Sequence, residues 1–476
     1  MAVRTRRDVW KLGEWDDILL WYAKAIGEML KRPLADPTGF RYQAAIHEYV
    51  RSQDPLRKSS DRLPSSGDQR KFWSQCQHNS WFFIPWHRWY LLYYEEIVAA
   101  AVVKLGGPAG WALPYWNYSD ASNPDARRLP PAFRAPTLPD GSPNPLRANI
   151  VRQRGNDGEI VAGPQHVDLS CLKEPRYQAD PTGGSPGFGG PKTAFNHGGG
   201  PVGAVELTPH GSMHVRVGGW MGRFNTAGLD PLFWLHHCNI DRLWSVWTAM
   251  DPTHTNPADS AWSGMSFAFH DGTGAAVTKK IGDTIDTAAL GYEYEDLSNP
   301  FEAGLESLER PRRRTVPERP IPEMVGASER PVALGRRRAA TAHVPVTAPA
   351  GPGLESVGGD DEPQRIFVNV ENVTGDGDPR TYAVYVNGEF AGVLPTFGVP
   401  EATQGSETHP GGGLQFRFDV TDAVRRLQAA GNFDESTMEV TFVPEEDDEP
   451  GLEGIGGDEG PDESEFQIGR VSVYRS

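Results

Sequence analysis

The first part of the chain carries apolar side chains at helical spacing in four stretches. Residues 8–31 place Trp, Ile, Leu, Tyr and Met side chains three or four positions apart, and Pro33 ends the helix that this spacing predicts. A second helix is predicted for residues 38–51 and a third for residues 85–104. The fourth stretch, residues 230–244, is apolar and aromatic on nearly every side, which is typical of a helix buried in a large core.

The helix predicted for residues 230–244 also contains polar groups that need partners. Asp230 is a good N-cap, and Pro231 at the first helical position lacks only an N–H that would have no helical acceptor. His236, His237 and an Asp-Arg pair lie within its apolar body. A buried imidazole in a helix often binds a metal, and the alternative is a pair of core histidines satisfied by hydrogen bonds.

The rest of the chain changes character three times. Residues 120–205 are loop-rich, and we expect them to lie over the rim of a site. Residues 300–363 are rich in Glu, Arg, Pro and Ala, which indicates a mobile, protease-sensitive linker. Beyond it, alternating polar and apolar positions predict an antiparallel domain with a hairpin turn at Asn387-Gly388. The predicted strands are 366–372, 382–387, 414–420, 438–443 and 469–474. The domain boundaries are therefore 1–299 for the helical domain, 300–363 for the linker and 364–476 for the strand-rich domain.

Composition narrows the classes of partner and compartment. The 476 residues carry a net charge of −17, which argues against nucleic acid or an anionic membrane as a partner. Basic clusters within residues 300–363 leave a nucleic-acid-binding tail as the alternative to a linker there. No apolar run is long enough to span a membrane, no secretory signal is recognisable, and three scattered cysteines are too few for a disulfide framework. These features predict a cytoplasmic protein, with export by another route as the alternative; the oligomeric state is not predicted.

Six of the thirteen histidines form two candidate metal-binding triads. His210 and His214 are four residues apart, so on a helix they share one face and can bind one ion. His237 comes from the next helix, where Asp241, one turn further on, can orient its imidazole. The other triad consists of His47, His78 and His87. Three neutral imidazoles without clustered thiolates or carboxylates favour copper or zinc over magnesium or calcium. Two triads borne on four helices indicate two metals facing each other, and the alternative is ordinary core or surface histidines.

These residues resemble the tyrosinase, polyphenol oxidase and molluscan haemocyanin family, the type 3 dicopper proteins. The matching motifs are His78 and His87 with eight residues between them, His210-x3-His214, and Asp230-Pro231-x-Phe233-Trp234-x-His236-His237-x-Asn239-x-Asp241-Arg242. The resemblance covers residues 5–295 and implies two copper ions, dioxygen as co-substrate and a four-helix bundle around the dicopper centre. It assigns the first copper to His47, His78 and His87, and the second to His210, His214 and His237, with His236 as a structural neighbour.

Other positions resemble finer features of the family. Cys76-x-His78 looks like the Cys-His thioether of fungal tyrosinases and molluscan haemocyanins, with a free buried thiol as the alternative. Phe224 lies where plant polyphenol oxidases place an aromatic gate over the second copper. Glu206 matches a carboxylate that holds a water near the site and that can act as a general base.

The resemblance also describes how the helical domain ends and what covers its site. Tyr292-x-Tyr294 looks like the family's domain-closing motif, which packs near an N-terminal arginine, here Arg6 or Arg7. The C-terminal strands resemble the antiparallel β-sandwich that shields the active site in latent plant and fungal enzymes. This likeness implies a side chain that plugs the copper cavity until the domain is displaced, or is cleaved off by an activating protease. The plug candidates are Leu394 and Phe397, and the alternative for both is the core of the sandwich.

The function implied by the resemblance is the oxidation of catechols by dioxygen to o-quinones, with a small phenol as substrate. Many tyrosinases have Asn where this chain has Gly211, which puts monophenol hydroxylation in doubt, and Val215 adds no charge that would attract a carboxylate substrate. The chemical alternatives are tyrosinase or o-aminophenol oxidase activity. Haemocyanin-like oxygen binding is the alternative of another class, and a single catalytic domain without tandem repeats argues against it. A dizinc hydrolase is disfavoured because such sites usually include carboxylate ligands.

Overall fold

The computed structural model contains two hydrophobic cores, one for each part of the chain. The first core is built from residues 9–294 and the second mostly from residues 325–473. Three side chains cross over: Phe397 packs into the first core, and Val202 and Leu207 pack into the second. The two domains therefore interlock where they meet. The structure describes residues 3–148, 152–301, 321–347, 364–405, 409, 411–431, 433, 436–445 and 464–476.

The first domain is mainly helical, and its longest helix, α4, packs against both α1 and α8. Two further helices, α10 and α11, lie in the second domain. In chain order the helices are α1 (Asp17–Met29), α2 (Phe40–His47), α3 (Ser66–Phe72), α4 (Phe83–Lys104), α5 (Pro131–Arg134), α6 (Gln153–Asn156), α7 (Ser212–Val217), α8 (Pro231–Met250), α9 (Ser260–Ser263), α10 (Val399–Thr403) and α11 (Thr421–Ala429).

The four helices predicted from apolar spacing are all present, with different ends. The Asp230 side chain accepts a hydrogen bond from the Leu232 N–H at 2.9 Å, which confirms the predicted cap of α8. Helix α4 begins two residues before Pro85, which is tolerated because first-turn N–H groups have no helical acceptor. Helix α1 is shorter than the predicted 8–31 because Asp16 caps a new start, accepting from the Ile18 N–H at 2.9 Å.

The second domain consists of two antiparallel sheets packed on one core, as a β-sandwich. One sheet has the strand order β11-β10-β13-β8. The other has the order β12-β9-β14-β6, with β7 also on β14 and with β2, from the helical domain, running parallel to β12. In the helical domain, β1 runs parallel to β5, and β3 is antiparallel to β4. In chain order the strands are β1 (Arg4–Arg6), β2 (Gly200–Pro201), β3 (Ser266–His270), β4 (Ala276–Lys280), β5 (Tyr292–Tyr294), β6 (Glu323–Ala327), β7 (Val332–Leu334), β8 (Ala340–Pro345), β9 (Ile366–Gly375), β10 (Thr381–Val386), β11 (Glu389–Pro395), β12 (Leu414–Asp419), β13 (Thr437–Pro444) and β14 (Phe466–Arg475).

The predicted hairpin is confirmed, whereas the predicted linker is wrong over much of its length. Asn387 and Gly388 have φ of 44° and 84°, as a two-residue turn of type I′ between β10 and β11 requires. Residues 321–347 were expected to be linker, but they form β6, β7 and β8, which pair with β14 and β13. These strands are short, and buried and exposed residues alternate along β7 and β8, so composition hid them. The remaining parts of the expected linker, 302–320 and 348–363, lie outside the described residues, as does its predicted protease sensitivity.

Candidate metal centre

The first histidine triad is assembled from three separate segments of the helical domain. His47 is the last residue of α2, His78 lies in the loop before α4, and His87 lies in the second turn of α4. The ring centroids of His47 and His78 are 5.2 Å apart, those of His78 and His87 are 5.2 Å apart, and those of His47 and His87 are 5.9 Å apart. All three rings are buried. The sequence-predicted triad therefore comes together in space.

The second triad is equally compact. The ring of His210 is 4.6 Å from that of His214 and 5.1 Å from that of His237. The Nε2 atoms of His214 and His237 are 3.4 Å apart, close to the edge of a tetrahedron with metal–nitrogen bonds of about 2.0–2.1 Å. His210 and His214 share a helical segment that continues from Pro209 into α7, as their spacing predicted.

The two triads face each other across the centre of the domain. The rings of His87 and His237, one from each triad, stack at 4.3 Å with an interplanar angle of 13°. His78 and His210 are 5.7 Å apart on the other side of the same centre. This contact between helices α4 and α8 holds the two groups of ligands side by side.

The histidine side chains fit metal ions in their hydrogen bonding as well as in their distances. Four of them donate from Nδ1 to a backbone carbonyl, at 2.7 to 3.2 Å, so the proton is on Nδ1 and the Nε2 lone pair is available. Burial lowers the pKa of all six rings, which keeps them neutral. Four buried Nε2 atoms lack any hydrogen-bond partner among the described residues: those of His47, His78, His87 and His210. Orphaned lone pairs that converge are what a copper ion would satisfy.

His236, next to His237, also lies at the second triad. Its ring is 4.8 Å from that of His214, and its Nδ1 is 3.1 Å from the hydroxyl of Tyr118. Its Nε2 is buried without a hydrogen-bond partner among the described residues. His237 stacks on His87 of the first triad, which places His237, rather than His236, between the two groups. The role of His236 as a neighbour rather than a ligand stays a prediction.

Asp241 does not orient His237, so that prediction is wrong. Its carboxylate accepts hydrogen bonds from Arg88 Nε at 2.5 Å, Tyr292 Oη at 2.7 Å and Tyr294 Oη at 2.5 Å. Arg6, at 3.4 Å, completes its set of donors. These donors saturate the carboxylate oxygens, and the Nδ1 atom of His237 has no hydrogen-bond partner among the described residues. Asp241 instead ties the start and the end of the domain to α4 and α8.

Phe224 lies beside the first triad, so the prediction of a gate over the second copper is also wrong. Its ring is 4.9 Å from that of His47 and 4.5 Å from that of His78. The reason is local: the Phe224 carbonyl accepts the hydrogen bond from His47 Nδ1, which anchors the residue to that side.

Two phenylalanines, Phe83 and Phe233, fill the space between the rings, a role that the sequence did not predict for either. Phe83 is 4.8 Å from His87 and 4.7 Å from His210. Phe233 is 4.2 Å from His237 and 5.2 Å from His47. Each lies four positions before a triad histidine on the same helix, and this spacing was a signal that could have identified both.

Of the two candidate plugs, Phe397 reaches the site and Leu394 does not. The Phe397 ring stacks on that of His214 at 4.1 Å and 12°, and it is 5.8 Å from that of His210. Leu394 is the last residue but one of strand β11 and has its side chain in the core of the sandwich, so it is wrong as a plug candidate. Phe397 follows the strand in a loop that enters the helical domain. The cavity that it enters is also lined by Glu206, Gly211 and Glu401.

Of the three remaining predicted site residues, Glu206 and Gly211 line the cavity and Val215 does not. Both oxygens of Glu206 lie 2.9 Å from the Asn79 N–H, and burial raises the pKa of Glu206 to about 8. Gly211 lies at the cavity under the C-terminal domain, where an added Cβ would meet the Pro395 Cγ at 3.1 Å. Val215 is buried in the helical core, away from the described residues that line the cavity.

Cys76 is buried beside the first triad. Its sulfur and one ring nitrogen each of His47 and His78 all lie within 4.8 Å of one another. Sγ is also 3.1 Å from Nδ1 of His197, and burial raises the pKa of the thiol well above its usual range. The thiol is free in this structure, so the thioether stays a prediction.

Three family profiles match the chain. The common central domain of tyrosinase matches residues 37–250, the polyphenol oxidase middle domain matches residues 256–303, and a domain of unknown function matches residues 321–476. The last match begins at residue 321, two residues before β6, in agreement with the strands found in residues 321–347. Among the described residues, no helix has the length and apolar character needed to cross a membrane.

Relatives match both domains together. A tyrosinase of a Hahella species is 34% identical over 99% of each chain, and a chloroplastic polyphenol oxidase of Malus domestica is 27% identical over 89% of this chain and 72% of the relative. The structure of latent apple tyrosinase covers 100% of this chain and 98% of its own, with a TM-score of 0.62 and 23% identity. The chain therefore belongs to the tyrosinase family of copper-dependent oxidoreductases, which hold two copper ions, as its two facing histidine triads, the profile matches and the near-complete alignment together show.

Proposed function

We propose that this polyphenol oxidase converts catechols to o-quinones and that its C-terminal domain keeps it latent. The observation that carries the proposal is the ring of Phe397, which stacks on His214 inside the cavity of the dicopper centre. A centroid separation of 4.1 Å leaves no room for a second flat ring between them. A phenol therefore reaches the metals only after the C-terminal domain has moved.

The six triad histidines are proposed as the copper ligands, three to each ion. Copper, when bound, supplies the redox chemistry by which two catechols and one dioxygen become two o-quinones and two waters. The side chains of the protein position the metals and exclude bulk water. Phe83 and Phe233 pack between the imidazoles of the two triads. They therefore shield the imidazole rings from solvent and fix the orientation of these rings.

Glu206 is proposed to accept a proton from the substrate hydroxyl, directly or through a water. It lines the cavity, and the other acidic residue among the described lining residues is Glu401, which belongs to the C-terminal domain. In the covered state both of its oxygens point to the Asn79 N–H, which fixes the carboxylate. Displacing the C-terminal domain would expose it to water and to substrate.

Monophenol hydroxylation is the second candidate activity. The Hahella relative is named a tyrosinase, and its alignment covers both chains almost completely. Against this activity stands Gly211, which offers no side-chain amide beside His210. Gly211 also packs under Pro395 of the C-terminal domain, so a glycine at this position helps that domain to sit over the site as well as bordering the substrate.

We propose a small phenol and dioxygen as the substrates, since both fit the family. An activating protease would cut the chain between residues 301 and 321. A cytoplasmic location is supported by three free cysteines. The plant relatives from Malus domestica and Solanum lycopersicum are named chloroplastic, so their location differs from the one proposed for this chain.

One experiment tests the function and its latency together. Copper-loaded protein with an engineered protease site between residues 301 and 321 is followed by oxygen uptake with 4-tert-butylcatechol, tyramine and 2-aminophenol, before and after cleavage. We expect turnover of the catechol chiefly after cleavage. Equal rates before and after would contradict latency, and reversible oxygen binding without turnover of any of the three would favour an oxygen carrier. Turnover of tyramine with a lag would favour the tyrosinase alternative.

A further inference from the structure

A third cluster of metal-binding side chains lies outside the two triads. It consists of Glu48, His197 and His409, with one ligand atom of each within 4.8 Å of the others. All three residues are at least nine-tenths buried. Glu48 and His197 belong to the helical domain, whereas His409 belongs to the loop before β12 of the C-terminal domain. The cluster therefore exists only while the two domains are in contact.

The hydrogen bonding of His197 repeats the pattern of the triad histidines. Its Nδ1 lies 2.8 Å from the Cys76 carbonyl, which can only accept, so the proton is on Nδ1. The lone pair of Nε2 then faces Glu48 Oε1 at 3.8 Å, and Nε2 has no hydrogen-bond partner among the described residues. Two electron-rich atoms thus face each other in a buried space, which is unfavourable unless a cation lies between them.

The distances also suit a small divalent cation. Glu48 Oε1 is 3.1 Å from His409 Nε2 and 3.8 Å from His197 Nε2. A tetrahedral zinc ion with bonds of about 2.0–2.1 Å separates its ligands by about 3.4 Å, between these two values.

We propose that Glu48, His197 and His409 form an accessory site for a divalent transition-metal ion such as Zn²⁺, and that the bound ion clamps the C-terminal domain onto the catalytic domain. Phe224 packs between His197 of this site and His78 of the first triad, with ring-centroid distances of 5.4 Å and 4.5 Å. A cation that binds only the closed arrangement stabilises it by mass action. At a concentration of 100 times its Kd, the closed-to-open ratio rises by about 100-fold.

Metal stoichiometry on the full-length, copper-loaded enzyme tests the site without relying on turnover. The protein is equilibrated with Zn²⁺, desalted, and analysed for copper and zinc per chain. We expect one zinc in addition to two coppers, and loss of the zinc in His409→Asn with copper unchanged. His343→Asn is the matched control, because His343 is a solvent-exposed histidine of the same domain with a side chain 65% exposed. Zinc that persists in His409→Asn, zinc that only replaces copper, or no bound zinc would each overturn the proposal.

Two further measurements keep the inference testable if one variant folds poorly. Glu48→Gln is expected to lose the zinc as well, and Co²⁺ in place of zinc should give the visible absorption of a tetrahedral site in the parent only. Zn²⁺ should also lower the residual catechol oxidation of the uncleaved parent but not that of His409→Asn. After cleavage the effect of Zn²⁺ should vanish, and its persistence would contradict a clamp between domains.

Discussion

The replacement of Phe397 by alanine tests most directly how the C-terminal domain controls the site. Phe397 is 7% exposed and packs against His214, His210 and Phe224, with ring centroids at 4.1, 5.8 and 5.6 Å. Full burial of a phenylalanine contributes about 1.5–3 kcal/mol relative to its exposed state. Its loss should therefore change the ratio of open to closed enzyme by roughly 10- to 150-fold, since about 1.4 kcal/mol corresponds to tenfold.

The same change removes the ring that blocks the substrate, so both effects raise the activity of the uncleaved enzyme. We expect kcat/KM for 4-tert-butylcatechol, measured by oxygen uptake without cleavage, to rise by at least tenfold. The rate of the cleaved enzyme sets the upper limit, because release of the cleaved C-terminal domain takes Phe397 away with it. Parent and variant should therefore have equal rates after cleavage, which also verifies equal copper loading.

Phe390→Ala is the matched control, because Phe390 lies on the same hairpin but is 41% exposed and away from the cavity. We expect this variant to keep the low rate of the uncleaved parent. If uncleaved Phe397→Ala were no faster than the parent, the stacking on His214 would not be the cause of latency. If Phe390→Ala were activated to the same extent, general weakening of the sandwich would explain both results.

Three other predictions follow from the site and its cover. In oxygenated, copper-loaded protein, the peptide that contains Cys76 and His78 should be two hydrogens lighter than its sequence mass by mass spectrometry, whereas the full mass would mean a free thiol. Gly211→Asn should weaken the seating of the C-terminal domain, because a Cβ would meet Pro395 Cγ at 3.1 Å, and should raise tyramine hydroxylation after cleavage. Gly211→Ala shares the clash without the amide, so equal hydroxylation by both variants would contradict a role for the amide. Burial alone would raise the pKa of Glu445, but the hydrogen bond with His166 across the domains lowers it to about 2. Because its folded-state pKa is depressed, its contribution to closure is present above about pH 4.5 and lost as pH falls towards 2. Glu445→Gln should therefore flatten the acid-induced loss of latency over that window, assayed at neutral pH after brief acid exposure.

The balanced charges around Asp241 explain how so many ionic groups are buried without a metal among them. Arg6 contacts Glu95 at 2.8 Å and Asp241 at 3.4 Å, and Arg88 contacts Asp241 at 2.5 Å. Arg4 also contacts Glu95, at 3.0 Å, so three guanidinium groups surround the two buried carboxylates, which repays part of the cost of removing these charges from water. Removing Arg88 would leave Asp241 with only the longer contact to Arg6, which we expect to be far more destabilising than the loss of a surface pair.

The sequence by itself determined the helices and the histidines that face the centre. The spacing of His210 and His214 fixes their common face on a helix, and the Asp230-Pro231 start fixes which way His237 points. These are local properties, because each depends on residues within one or two turns. The same locality made the turn at Asn387-Gly388 predictable, since its backbone requires two positive φ values.

The tertiary structure alone decided which side chains reach the site from elsewhere in the chain. Leu394 and Phe397 are both apolar and only three residues apart, yet one lies in the sandwich core and the other on His214. Asp241 lies one turn from His237, yet its carboxylate accepts hydrogen bonds from Arg88, Tyr292 and Tyr294 instead. Glu48, His197 and His409 meet only through the contact of two domains. Such arrangements depend on packing between distant segments, and no periodicity within a segment records which partner it will meet.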